Sequence, residues 1–198
     1  MSLRLLLALV VVFGATACSD DEAETLPPVT PTATSPSAEV PRVNVPRGIT
    51  LTELGSTLEV GERAWVAYAD GNRVSVLGVT VSEVVKGSMQ QFRTFVLSAR
   101  QRASTPYYVS ATVRNEGPRP LPKAAVPLYG FDTTDTAYPA SALIGSFERC
   151  AAAPLAARFK PGDRLRTCLV YLVPPKANLE AIQLRVTRDS EPVSWPVR

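Results

Sequence analysis

Apolar and polar side chains alternate at every second position in several segments of the chain. In the segment 107–114, YYVSATVR, one face carries Tyr107, Val109, Ala111 and Val113, and the opposite face is more polar. A period of two is typical of a β-strand that buries one face. The segment runs into Asn-Glu-Gly, which is a turn signal. The pattern therefore predicts a strand that ends at this turn.

Three other segments give similar signals. Residues 182–188, IQLRVTR, repeat the alternation, and 65–81 holds two alternating runs around Asp70-Gly71, a dipeptide suited to a tight hairpin turn. Residues 168–174, CLVYLVP, are apolar on both faces, which predicts a strand that is covered on both sides. We expect Pro174-Pro175 to end this strand, because proline cannot donate to the ladder.

Within 65–81 the inward positions change phase, from Val74 and Val76 to Val79 and Val81. One extra residue would produce this change, so we predict a β-bulge near Leu77-Gly78.

The remaining signals are weaker. They predict strands near 125–131 and 193–197, leave 143–149 ambiguous, and allow a short helical turn in the alanine-rich 150–159. The total of about seven to eight strands predicts an all-β fold, an immunoglobulin-like antiparallel β-sandwich. The predicted core is drawn from all these strands: Trp65, Val74, Val81, Val109, Ala111, Val113, Val170, Leu184 and Val186.

The first residues have the layout of a signal peptide. Arg4 precedes nine apolar residues, which are too few to span a bilayer. Ala15-Thr16-Ala17 fits the rule for ordinary signal peptidase, whereas the same residues followed by Cys18 resemble a lipobox, with Ala15 where leucine is usual. We therefore predict a signal peptide over 1–17 and lipid attachment at Cys18, with unmodified release as the alternative.

A proline-, threonine- and serine-rich stretch follows. It contains six prolines between residues 25 and 46 and no glycine. Such a composition cannot bury enough apolar surface to fold, so we predict that 18–47 is a disordered linker, with or without O-glycans. Residues 48–198 have the usual size of one domain.

The three cysteines are Cys18, Cys150 and Cys168. Lipidation of Cys18 would leave two cysteines, and two remaining cysteines in an exported protein are expected to form a disulfide. We predict a bond between Cys150 and Cys168. A metal or redox site is the rival explanation, but the chain has no second cysteine pair and no C-x-x-C motif.

The combination of ATAC, the Pro/Thr stretch, YYVSATVRNEG and CLVYLVPPKANLEAIQLR followed by PVSW resembles a group of actinobacterial lipoproteins. Their exported domain is a telokin-like, immunoglobulin-type sandwich, and the group includes secreted mycobacterial antigens. The resemblance covers roughly residues 55–198. It implies a sandwich fold and life at the cell surface, and it carries over no active residues.

The chain contains no histidine, which removes the usual general base and the commonest metal ligand. Asp132 and Asp135 are the best acidic candidates, either as a catalytic or calcium-binding pair or, as we favour, as residues that form turns with Thr133 and Thr134. We expect no enzyme activity, no cofactor and no metal site. Residues 48–198 carry 18 basic and 13 acidic side chains, which is too mild a balance for a nucleic-acid binder.

The best candidate for partner binding is the loop 90–102, QQFRTFVLSARQR. Phe92, Arg93, Arg100 and Arg102 could contact a partner there, or the phenylalanines could simply pack under the core. We expect a non-enzymatic interaction module, anchored by lipid on the outer side of the cell membrane, that binds an envelope protein or polymer. The alternative is a carrier of a small apolar or anionic ligand, with a pocket lined by aromatic residues such as Tyr107, Tyr108, Phe131 and Tyr138.

Overall fold

The computed structural model describes residues 41–198, so the predicted signal peptide, Cys18 and the linker up to residue 40 lie outside the described residues. The described part is all-β and contains ten strands and one short α-helix. The strands are β1 (Arg63–Asp70), β2 (Arg73–Lys86), β3 (Thr105–Asn115), β4 (Leu121–Pro122), β5 (Leu128–Asp132), β6 (Ala137–Pro139), β7 (Arg158–Phe159), β8 (Arg164–Val173), β9 (Leu179–Leu184) and β10 (Val193–Pro196). The helix is α1 (Ala99–Arg102), and a 3₁₀ turn spans Met89–Phe92.

Eight of the strands form two four-stranded antiparallel sheets, with the orders β1-β2-β3-β8 and β10-β9-β5-β6. The two-residue strands β4 and β7 pair separately. Within residues 41–198 no helix has the length and apolar character needed to cross a membrane.

Both sheets contribute side chains to one hydrophobic core. Val79, Val109 and Tyr171 come from the first sheet, and Ile182 and Trp195 from the second, and all five are almost completely buried. At about 25 cal/mol for each Å² of apolar surface removed from water, such burial is the main term that stabilises a domain of this size. The two sheets therefore stabilise one another as two layers.

The predicted core is confirmed at six of its positions and corrected at three. The confirmed residues are Val81, Val109, Ala111, Val113, Leu184 and Val186. Val170 is buried on the opposite face of β8, in a second cluster. Trp65 and Val74 are only half-buried, so their prediction as core residues was wrong.

The error at Trp65 has a simple cause. In β1 the inward residues are Ala64 and Val66, and Trp65 points to the other face, with the Arg63 guanidinium 5.7 Å from its ring centre. Nearly every residue of this run is apolar, so the sequence does not show which alternate set faces the core. The buried tryptophan is Trp195, whose indole N–H donates to the Glu62 carbonyl at 3.2 Å.

The predicted hairpin is confirmed, and the predicted bulge is displaced. β1 and β2 pair without interruption past Leu77 and Gly78, and Gly71 takes the positive φ of 59° that the turn requires. The register between β2 and β3 shifts between Val81 and Glu83 instead. Leu77, Val79 and Val81 share one inward phase, and Val84 resumes contact with the core after the shift.

The other strand predictions fall on β3, β8, β9, β5 and β10, with ends that differ by a few residues. Residues 143–149 form no strand. The alanine-rich 150–159 forms no helix, and its only regular element is β7. Residues 141–153, which overlap both segments, instead follow the free edge of β8, as described next.

Candidate functional site

A segment that we call the strap, residues 87–104, covers the outer face of the first sheet. Phe92 and Leu97 are buried against Tyr108, Val170 and Leu172 of strands β3 and β8. The sequence places Tyr108 on the more polar face of its strand and predicts Val170 in the main core. The strap explains both positions, because it creates a second apolar cluster on the side of the sheet that faces away from the main core.

The strap is held in shape by two short capped elements. Ser88 and Gln91 form a capping box around the 3₁₀ turn, and Ser98 and Gln101 form another around α1. The Tyr108 hydroxyl donates to Gln91 Oε1 at 2.6 Å, which joins the first element to β3. The strap is thus an ordered layer over the sheet.

A second segment, the edge segment 141–153, follows the open side of β8. The Ser141 amide donates to the Val170 carbonyl at 2.7 Å, and the Cys168 amide donates to the Ala151 carbonyl at 3.3 Å. The predicted disulfide between Cys150 and Cys168 is confirmed, with Cα atoms 4.9 Å apart. The disulfide fixes the edge segment to the strand that it covers.

The two segments meet in a cluster of aromatic rings. The ring centre of Phe147 lies 4.9 Å from that of Phe92 and 5.6 Å from that of Phe95. A Cβ at Gly145 would lie 3.9 Å from Phe95. Val96 follows Phe95 in the chain and Ile144 precedes Gly145. Both aliphatic side chains are fully exposed, at 103% and 98%.

Three exposed arginines belong to the same two segments, and the guanidinium of one of them, Arg149, lies 6.0 Å from the ring centre of Tyr108. We use the name strap patch for Arg93, Val96, Arg100, Ile144 and Arg149. No carboxylate pairs with the three arginines within the part of the chain that the structure describes. The strap and edge segments together contain four arginines and one acidic residue, Glu148, so the surface is basic.

The predicted partner-binding residues divide into two groups. Arg93 and Arg100 are exposed in the strap patch. Phe92 is buried in the aromatic cluster, and Arg102 donates through Nη1 to the Leu97 carbonyl, so both hold the strap in place. Sequence reasoning missed Val96, Ile144 and Arg149, because the two segments that carry them are distant in sequence and neither shows a clear period.

A groove formed by both sheets and the edge segment is a concave candidate, with a volume of about 890 Å³. Its walls come from Tyr68, from Pro127, Leu128 and Tyr129 at the start of β5, and from Leu169. Seven alanines also line it: Ala69, Ala125, Ala137, Ala140, Ala142, Ala152 and Ala153. Small side chains on several elements leave the space open. The aromatic residues predicted to line a pocket, Tyr107, Tyr108, Phe131 and Tyr138, do not line this groove, so that prediction was wrong for it.

Two arginines, and no acidic residue, line the groove. Arg185 is half-buried, and its Nε and Nη2 donate to Gln183 Oε1 at 3.1 and 2.6 Å. Gln183 is buried, although it occupies a polar position in the alternating segment 182–188. A guanidinium has five N–H donors, so the remaining three on Arg185 are free for an acceptor in the groove.

Asp132 and Asp135 lie in the turn between β5 and β6. Asp132 is completely buried, and its Oδ1 accepts from the Thr134 amide at 2.9 Å and the Thr134 hydroxyl at 2.6 Å. The Asp135 amide donates to the Asp132 carbonyl at 3.0 Å, and Asp135 has a φ of 56°. These are turn contacts, as the sequence favoured. Residues 41–198 contain no group of three or more acidic or cysteine side chains arranged to bind a metal.

No protein-family model, curated protein or solved structure matches this chain. Within the described residues, the strap patch and the groove are the features that bear on its function.

Proposed function

We propose that the chain is an exported, non-enzymatic interaction module that binds a partner through the strap patch. The observation that carries the proposal is the full exposure of Val96 and Ile144 in two segments that also carry three exposed arginines without carboxylate partners among the described residues. Burying an aliphatic side chain is worth about 1.5–3 kcal/mol, so two of them supply a useful hydrophobic contribution when a partner covers them.

The partner that best fits this surface is an envelope protein with an acidic rim around an apolar recess. Arginine is well suited to such contacts, because its planar group binds carboxylates through two hydrogen bonds. A purely polar anionic polymer would leave Val96 and Ile144 without a contact, which favours a protein.

The proposed attachment is an acyl group on Cys18 on the extracytoplasmic face of the cell membrane, with 18–47 as a tether. The signal-peptide layout of 1–17 supports it. Metabolic labelling with a fatty-acid analogue tests it: wild type takes up label and Cys18→Ala does not.

The proposed domain type is an immunoglobulin-type sandwich, of the kind found in the actinobacterial lipoproteins that the sequence resembles. The two antiparallel four-stranded sheets around one core support this assignment. Fold type by itself indicates no partner, so the binding proposal depends on the strap patch.

Photo-crosslinking in cells tests the interaction. A photoreactive amino acid at position 96 or 144 is expected to capture one defined protein. The same amino acid at Val60, which is partly exposed and lies outside both segments, is the matched control. Substituting Arg93→Glu and Arg149→Glu is expected to reduce the crosslink at least tenfold, because charge reversal disrupts contact with an acidic rim.

Three outcomes would contradict the proposal. One is a crosslink that survives the double charge reversal, and another is equal capture from position 60. The third is crosslinking to lipid alone, which would indicate that the strap patch faces the bilayer.

A further inference from the structure

We infer that the groove beside β5 is a binding site for a single-chain anionic amphiphile, an apolar chain that ends in a carboxylate or phosphate. This inference is independent of the strap patch and of its partner. It concerns a small molecule and residues that do not belong to the strap patch.

The size and lining of the groove indicate that part of the ligand is an apolar chain. Pockets for small molecules usually have volumes of roughly 300–1,000 Å³ and apolar walls, and the groove at about 890 Å³ is within this range. Alanine, valine, leucine and proline side chains form most of its surface, with the rings of Tyr68 and Tyr129. The mainly apolar lining therefore suits a chain of methylene groups.

The two arginines set the charge of the head group. The lining includes Arg185 and Arg188 but no aspartate or glutamate, and neither arginine forms an ion pair among the described residues. Because Gln183 occupies Nε and one N–H of Nη2, the outward edge of the Arg185 guanidinium is left free. That edge presents two parallel donors, which is the arrangement that binds a carboxylate or phosphate.

The buried side chain of Gln183 fixes the orientation of the Arg185 guanidinium before a ligand binds. A free arginine side chain loses considerable rotamer freedom when it binds a ligand. Gln183 is 7% exposed and already holds Arg185 in one orientation, so part of this loss has occurred before the ligand arrives.

Equilibrium dialysis with radiolabelled palmitate tests the inference. The whole chain carrying Cys18→Ala is used, so that no acyl group of its own competes for the groove. We expect saturable binding of one palmitate per chain. Hexadecanol, which has the same chain and no charge, is expected to bind at least about tenfold more weakly. Dodecyl phosphate in the same assay shows whether a phosphate head is accepted as well as a carboxylate.

Two kinds of variant test separately how the arginine charge and the open space of the groove contribute to palmitate binding. Arg185→Gln is expected to weaken palmitate binding about tenfold, since it removes a charged hydrogen-bond donor pair. Ala142→Phe and Ala125→Phe add bulk at exposed positions of the lining and are expected to block binding. Arg73→Gln and Ala103→Phe, which lie outside the groove, are the matched controls and should bind like the parent.

Several results would overturn the inference. These are an absence of saturable binding of both palmitate and dodecyl phosphate, equal binding of palmitate and hexadecanol, and unchanged binding in Arg185→Gln together with both phenylalanine variants. Circular dichroism of each variant confirms that it is folded, so that a loss of binding is assigned to the groove. The groove and the strap patch share no residue, but Ser141, Ala142, Ala152 and Ala153 of the groove lie in the edge segment that carries Ile144 and Arg149. Arg185→Gln lies outside that segment and therefore tests the groove without altering the strap patch.

Discussion

At the scale of single residues, Asn115 shows how one buried polar side chain can join distant parts of the chain. Its Oδ1 accepts from the Ser75 hydroxyl at 2.7 Å and from the Gly117 amide at 3.2 Å. Its Nδ2 donates to the carbonyls of Arg119 at 2.8 Å and Phe159 at 2.9 Å. Every hydrogen-bonding atom of this side chain is therefore paired, although Asn115 is completely buried.

We expect Asn115→Ala to lower the free energy of unfolding by about 2–4 kcal/mol, because it leaves the buried Ser75 hydroxyl and the carbonyls of Phe159 and Arg119 without this partner. Denaturant unfolding measures the change. Asn178→Ala is the control, since Asn178 is exposed and its side chain makes no hydrogen bond within the described residues; its cost should be below about 0.5 kcal/mol. Equal effects of the two variants would refute the role of Asn115.

The sequence predicted the turn at Asn-Glu-Gly but not the burial of its first residue. A Cβ at Gly117 would contact the Ser75 hydroxyl and the Val76 amide, so glycine is required by close packing there. Pattern analysis indicates where a strand ends. It cannot identify the partners that a polar residue finds forty positions away, because those depend on the tertiary arrangement.

At the scale of elements, the edge segment takes the place of a strand beside β8. Its backbone hydrogen bonds and the Thr167 hydroxyl, which bonds with the Ala153 amide at 3.0 Å, occupy the side of β8 that faces away from β3. The disulfide closes a loop of 18 residues in sequence separation. Such a cross-link stabilises a protein mainly by limiting the conformations of its unfolded chain.

Replacing both Cys150 and Cys168 by serine is expected to lower the free energy of unfolding by about 3 kcal/mol. Hydrogen exchange should accelerate first at the amides of 141–153, because the segment then loses its covalent attachment. Wild-type protein treated with a reductant should behave like the double variant. Unchanged exchange in this segment would show that its hydrogen bonds alone keep it in place.

The strands themselves could be predicted because alternation reports burial on one face. The prediction failed where alternation is absent or ambiguous. Trp65 lies in a run that is apolar at nearly every position, and residues 143–149 pack through Phe147 without forming a strand. The candidate sites were predicted least well, because the strap patch and the groove each combine residues from segments far apart in sequence.

At the scale of the whole molecule, buried and partly buried tyrosines make the free energy of unfolding depend on pH in the alkaline range. Burial raises the pKa of Tyr171, and the neighbouring Tyr138 raises it further. Burial also raises the pKa of Tyr138, as does the nearby Asp132. Burial raises the pKa of Tyr68 and of Tyr108 in the same direction. In each case the folded protein favours the neutral phenol.

We expect these tyrosines to make no contribution to pH dependence below pH about 10, where the phenol is protonated in both the folded and the unfolded chain. Above that pH the unfolded chain releases protons that the folded chain retains. The free energy of unfolding should therefore fall, by up to about 1.4 kcal/mol per pH unit for each such tyrosine. Denaturant unfolding between pH 7 and pH 12 measures the slope.

The double variant Tyr138→Phe and Tyr171→Phe should show a shallower fall. At neutral pH it should lose only about 1 kcal/mol. Tyr171 gives up a hydrogen bond of 2.9 Å to the Leu128 carbonyl, whereas the buried Tyr138 hydroxyl has no partner among the described residues to lose. A slope identical to that of the wild type would contradict the assignment.

The edges of both sheets are occupied or short. Besides β8, strand β1 exchanges hydrogen bonds with Thr52, β10 is bridged by 56–58, and β6 has only three residues, one of them Pro139. A bare strand edge is a template on which a neighbouring chain can add its own strand. Copies of this domain crowded side by side on a surface should thus not polymerise through strand pairing. Each copy would keep its strap patch available.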